Sequence, residues 1–150
     1  MNQDKAVFMK AVHDKIQELP FHRLLGLNSG SFDTEHSSIR FDMRDELIGN
    51  VHFKILHGGV IAAILDAESG FVLSLDGAWH PVAGSVVKKP LLRGGTIDMR
   101  IDYLRPGKGK HFVATGTIVR RGNKVAVVRT ELRNELDELI AVGTASYLIG

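Results

Sequence analysis

The residues best suited to chemistry lie in one stretch, Asn50-Val51-His52-Phe53-Lys54-Ile55-Leu56-His57-Gly58-Gly59-Val60, with Asp66 following nine residues after His57. Two glycines that open a helix leave backbone N–H groups bare and approachable, and the helix dipole adds positive potential at that end. Such a place suits an anion or a developing oxyanion. Gly59 and Asp66 are seven residues apart, about two turns, so they share a helix face, and Ala62 and Ala63 keep that face open. An electrophile polarised at Gly59 is then expected near the Asp66 carboxylate. Glu68 is turned by about 200° from Asp66 and is expected to face elsewhere. Two glycines at a helix start serve a turn or tight packing equally well, and His57 serves equally well as a cap or a hydrogen-bonded core side chain. Asp66 is the stronger signal, because an acid between Leu65 and Ala67 in an apolar helix costs several kcal/mol if buried without partners.

The elements that must position these residues are legible from periodicity. Phe8, Ala11, Val12, Ile16 and Leu19 recur at helical spacing, with Asp4 as N-cap and Pro20 as the stop, which predicts a short amphipathic N-terminal helix. From Leu25 to Met43 the period changes to two, with Ile39, Phe41 and Met43 alternating against polar neighbours, which predicts a hairpin. Gly58 to Leu75 is too long and apolar for a strand and reads as a buried helix. Gly77 to Gly95, with Pro81, Pro90 and several glycines, reads as a long connection that could act as a lid. Strands are then predicted over Thr96 to Tyr103, Phe112 to Arg120, Lys124 to Arg133 and Leu139 to Leu148, forming an antiparallel meander. One antiparallel sheet with one apolar face needs a helix to cover it, and only Gly58 to Leu75 is long and apolar enough. The fold class expected is α+β, with the sheet wrapped around a central helix in one domain over residues 1–150.

Composition narrows the function classes. A chain of 150 residues with 44% hydrophobic and 24% charged is one ordinary globular domain. Nineteen Lys and Arg against seventeen Asp and Glu leave a net charge of only +2, too weak a field for a nucleic-acid binder. The absence of Cys removes disulfides, thiolate metal sites and cysteine nucleophiles, and suits a reducing compartment. The seven His are scattered and form no helical ligand spacing, so no metal is expected. Gly107-Lys108-Gly109-Lys110 lacks the spacing and the following helix of a phosphate-binding loop. Trp79, Phe71 and Phe112 have no basic stripe beside them and read as packing. The run Val60 to Leu75 is interrupted by Asp66 and Glu68 and falls short of the roughly 20 residues that span a bilayer. Lys5, Lys10 and Lys15 are offset by Asp4, Asp14 and Glu18, which disfavours a membrane surface. With no apolar leader at the N-terminus, the chain is expected to be cytoplasmic.

The stretch His57-Gly58-Gly59-Val60-Ile61-Ala62-Ala63-Ile64-Leu65-Asp66 resembles the signature of hotdog-fold acyl-CoA thioesterases of the PaaI-like type, and within them the YigI-like medium- and long-chain acyl-CoA thioesterases. Thr96 to Gly107 and Arg121 to Ala126 resemble the strand after the central helix and the next hairpin of that family, and the likeness covers Pro20 to Gly150. The resemblance implies a homodimer with a continuous sheet, able to pair into a dimer of dimers, and active sites at the subunit interface. By analogy the Gly59 amide polarises the thioester carbonyl and Asp66 of the other subunit acts as general base or nucleophile. Asn50 and His57 position thioester or water, and Thr96 orients the water. Asn50 departs from the family pattern, lying seven residues before His57 where many members have six. No cofactor is implied beyond the CoA carried by the acyl-CoA substrate. Its phosphates call for cations, and Arg105, Lys108, Lys110, Arg120, Arg121 and Lys124, with Gly58 at the helix start, are the candidates for substrate binding. Two other readings stay open: a non-catalytic acyl-CoA sensor that keeps the fold, and a hotdog hydratase or dehydratase, which the His-Gly-Gly pattern disfavours.

Overall fold

The computed structural model describes residues 3–29, 37–79 and 94–149. The first helix, α1 (Gln3–Gln17), begins one residue before Asp4, so Asp4 lies inside the first turn and does not cap it. Pro20 does more than end this helix. It opens a second one, α2 (Pro20–Leu25), where its missing N–H is one that a helix start leaves unpaired in any case. α2 closes on Gly26, whose φ of 70° is the left-handed conformation that glycine adopts without a steric penalty. The Arg44 guanidinium packs on Gly26 and donates to the Leu24 carbonyl, placing a cation at the negative end of α2.

The expected hairpin forms from β1 (Asn28–Ser29) and β2 (Ser37–Asp42), with Asn28 opposite Arg40, while residues 30–36 lie outside the described residues. A 3-10 turn at Asp45–Leu47 leads into a small antiparallel pair, β3 (Ile48–Asn50) with β4 (Ile55–Leu56), too short to leave a readable alternation in the sequence. The apolar helix follows as α3 (Gly58–Trp79). It takes in Gly77 to Trp79, the expected start of the connection; the rest of that segment and its reading as a lid fall on residues 80–93, outside the described residues. Gly58–Asp76 is long and apolar enough to cross a membrane, which the sequence argument had denied it. Ile61, Ile64, Leu65, Phe71 and Leu73 are all but fully buried within the fold, so this apolarity serves the core.

β5 (Thr96–Tyr103), β6 (His111–Arg121), β7 (Val125–Asn134) and β8 (Leu139–Leu148) complete the sheet, whose order among the described residues is β1-β2-β6-β7-β8-β5. β6, β7 and β8 form a meander as expected, but β5 does not lead it. Instead β5 lies on the far side of β8, Tyr103 opposite Ala141, and β6 takes β2 as its other neighbour, Phe41 opposite Phe112. The link from Tyr103 to His111 is seven residues, longer than the roughly two to five of a hairpin, and can cross to another edge. Ile39, Phe41, Phe112, Ala114 and Leu132 from the sheet pack on α3, and α1 sets Val12 in the same core. The Phe41 and Phe112 rings stack at 5.2 Å, each burial of this size contributing about 1.5–3 kcal/mol.

Candidate active site

Asp66 lies two turns into α3 on a half-buried face, and two hydroxyls converge on it. Thr96 Oγ1 donates to Asp66 Oδ1 at 2.7 Å; Tyr147 Oη donates to the same oxygen and reaches the Asp66 main-chain carbonyl at 2.8 Å. The pairing of β5 with β8 sets Thr96 opposite Tyr147, so the strand order unforeseen in the sequence is what delivers both donors to one carboxylate. The Tyr147 side chain is buried, and that burial, followed by the hydrogen bond to Asp66, drives its phenol well above the usual range. Tyr147 is therefore a neutral, committed donor. Should the Asp66 carboxylate act in catalysis, Tyr147→Phe is expected to lower kcat about tenfold with KM little changed, the kinetic equivalent of one hydrogen bond to a charged group. Steady-state kinetics on the folded variant check this, and an equal loss in KM alone would contradict it.

At the start of α3 the structure departs from the simplest expectation. The Gly59 N–H is not bare: it donates to His57 Nδ1 at 2.8 Å, so the imidazole caps the helix and occupies the expected oxyanion donor. Asn50 Oδ1 accepts from the backbone N–H groups of His52 and Phe53, both at 3.1 Å, and so shapes the turn between β3 and β4. Tyr103 donates its hydroxyl to the Gly58 carbonyl at 3.1 Å, tying the end of β5 to the helix start. A Cβ on Gly49 would lie 2.5 Å from the His57 Cα, a contact with rigid backbone. Gly49→Ala is therefore expected to displace His57 and cost about 1–3 kcal/mol, measured by urea unfolding; a variant as stable as the wild type would show that the turn yields freely.

The site residues do not all meet within one chain. Seven residues of helix separate Gly59 from Asp66 by about 10 Å, beyond the ~3.5 Å within which both could act on one carbonyl. The basic candidates also divide. Arg105, Lys108 and Lys110 lie at the β5–β6 link, where Arg105 borders Gly58 in a shallow cleft. Arg120, Arg121 and Lys124 sit at the opposite end of β6, an eleven-residue strand about 33 Å long, and Arg121 pairs with Asp76. Arg105 donates to the Leu139 carbonyl at 2.9 Å, and Glu135 accepts from the Lys110 N–H at 2.9 Å.

Glu68 does face elsewhere, as its rotation predicts. It is fully buried against β2 and β6, where Ser37 donates to Oε1 and the missing side chain of Gly116 leaves room, a Cβ there falling 3.1 Å from Oε1. Oε2 has no partner among the described residues. Burial pushes the Glu68 carboxyl up to about 8, against the opposing hydrogen bonds from Ser37 and Gly116. Burial thus favours its protonated, neutral form.

Sequence reading found Asp66 and Thr96 but missed Tyr147. The available signal was a tyrosine at an inward-facing position of the last strand, whose hydroxyl must find a partner when buried. A sheet laid across one long helix, with a hydroxyl-supported carboxylate on the half-buried face of that helix, is the hotdog arrangement. Comparison with known proteins agrees. The thioesterase superfamily model matches residues 53–141. The medium/long-chain acyl-CoA thioesterase YigI of Escherichia coli K12 is 42% identical over 137 residues, covering 90% of this chain and 88% of YigI. A Shewanella oneidensis protein related to the thioesterase superfamily superposes with a TM-score of 0.89 at 40% identity over the whole of both chains. Escherichia coli PaaI shares the fold, with a TM-score of 0.77 at 18% identity over 95% of this chain and 93% of PaaI. The chain belongs to the thioesterase superfamily and is a thioester hydrolase.

Proposed function

We propose that the chain hydrolyses acyl-CoA to free acid and CoA, with medium- to long-chain or aryl acyl groups as substrates and Asp66 as the essential carboxylate. The observation that carries this reading is the Asp66 carboxylate, held by Thr96 and Tyr147 at the mouth of an apolar cleft. Thr96 and Tyr147 both bond Oδ1, so Oδ2 takes the proton from a water as it attacks the thioester carbonyl. This is the general-base course, and it forms no covalent acyl-enzyme. The thioester oxygen replaces His57 Nδ1 as acceptor of the Gly59 N–H, where the helix dipole favours the developing charge. The tetrahedral intermediate then collapses, the C–S bond breaks, and the proton held on Asp66 passes to the sulfur, so that CoA leaves as the thiol and the carboxylate is restored.

Because Gly59 and Asp66 of one chain are about 10 Å apart, each site takes its oxyanion donor from one copy and its carboxylate from another. β5 is the sheet edge beside this face and is exposed along most of its length, so it is the strand that joins the copies in a homodimer, which can pair further into a tetramer. Arg105, Lys108 and Lys110 bind the CoA phosphates, and no cofactor enters beyond the CoA of the substrate. Absence of Cys fits a reducing, cytoplasmic setting.

The test is CoA release, followed with a thiol reagent over acetyl- to palmitoyl-CoA and phenylacetyl-CoA. Turnover of a medium, long or aryl member supports the reading. Tight binding of an acyl-CoA without cleavage would give way to the sensor reading, and no binding at all would overturn the site.

A further inference from the structure

We infer that the acyl tail runs from Asp66 along α3 under the α1–α2 junction, and that Gly70 sets the chain length accepted; this rests on the thioesterase reading above. A cleft of about 210 Å³ opens beside the carboxylate, with Asp66, Thr96 and Tyr147 at one end and Ala67, Gly70 and Phe71 of α3 along it. Its opposite wall comes from the N-terminal segment, Leu19 just before α2 and His22 within it. The volume is below the roughly 300 Å³ at which pockets for whole small molecules begin, so the cleft takes part of a ligand. Asp66, Thr96 and Tyr147 gather polar groups at the carboxylate end, while His22 stands on the opposite wall. Further along, the Ser74 hydroxyl is already spent on the Gly70 carbonyl at 2.7 Å, which leaves that stretch apolar in character. A thioester delivered to Asp66 therefore points its hydrocarbon into this channel. From Asp66 to Ser74 the helix advances about 12 Å, the scale of a medium-length tail.

Gly70 stands out within this wall. A helix interior disfavours glycine by about 1 kcal/mol against alanine, and among the described residues a Cβ at Gly70 would meet nothing within 4 Å, so neither a close backbone approach from them nor a positive φ requires the residue. Gly95, which also lines the cleft, likewise has nothing within 4 Å of such a Cβ among the described residues. What Gly70 keeps empty is the channel itself.

The experiment compares kcat/KM across acyl-CoA chain lengths for the wild type, Gly70→Leu and Leu19→Trp, which narrow the channel from opposite sides. Each variant is expected to lower the long-to-short ratio of kcat/KM at least tenfold, mostly through KM, as a lost apolar contact in a pocket does. Gly70→Ala falls between. A chain-length profile unchanged in both variants, with the fold intact by circular dichroism, would overturn the channel. So would an equal loss at every length, which would place Gly70 at the reaction centre. A wild type inert towards every thioester would instead fail the thioesterase reading itself, so the two failures are distinguishable.

Discussion

Asp66→Asn is expected to abolish most thioester cleavage, lowering kcat by about 10² or more while leaving the fold intact. Asparagine is nearly isosteric with aspartate, and its amide oxygen still accepts from Thr96 and Tyr147, so the two hydroxyls that hold the side chain keep a partner. What disappears is the ability to take a proton from water, and a positioned general base typically contributes 10²–10⁴-fold. The measurement is CoA release at saturating substrate, alongside thermal unfolding. A variant that retains more than a tenth of wild-type kcat would remove Asp66 from the chemistry and reduce its hydrogen bonds to a structural role. Should the loss appear only in KM, the carboxylate binds substrate and another group activates water.

The second large effect concerns stability. The Glu68 carboxyl titrates near 8 in the folded protein and at 4.5 in an unperturbed chain. Between those values the native state holds a proton that the unfolded state has released, so raising the pH favours unfolding. The contribution of this group is fully present below about pH 4.5, falls by about 1.4 kcal/mol per pH unit above it, and is lost once the pH has passed through 8. The wild type should therefore unfold at progressively lower urea between pH 6 and 9. Glu68→Gln keeps the shape and an oxygen for Ser37 but cannot ionise, so its urea midpoint should be nearly flat over that range and exceed the wild type at pH 9. Parallel pH profiles for the two proteins would show that Glu68 stays ionised in its pocket or that the pocket opens.

How far all this was legible depends on the range over which each feature acts. Local patterns carried well: the apolar run at α3, the period-two alternation of β5 to β8, and the Asp66 and Thr96 pair, the last through family likeness. Non-local pairing did not. That β2 meets β6 and β5 meets β8 is decided by which apolar faces must cover α3, and nothing local to either strand encodes its neighbour. The same limit hid Tyr147, 81 residues from Asp66 in sequence. His57 as a cap was one of the readings the sequence offered, and only the geometry of its ring against the Gly59 N–H selects it. The six basic candidates sit around two turns, as their spacing suggests, but those turns lie at opposite ends of β6, which spacing alone does not tell.

The order of the sheet also bears on how the protein is made. α3 is complete by residue 79, whereas the strands that flank β2 and β5 in the sheet, β6 and β8, finish only at residues 121 and 148. At roughly 5–20 residues per second, a ribosome needs several seconds to supply them. During that interval an apolar helix long enough to cross a bilayer is left without most of its cover. Pairing β2 with β6 closes a loop of about seventy residues, which is slow because its entropy must be lost before any contact rewards it. The nascent chain thus passes through a stage in which its most apolar segment is bare, and chaperones that bind such segments would have their longest opportunity there.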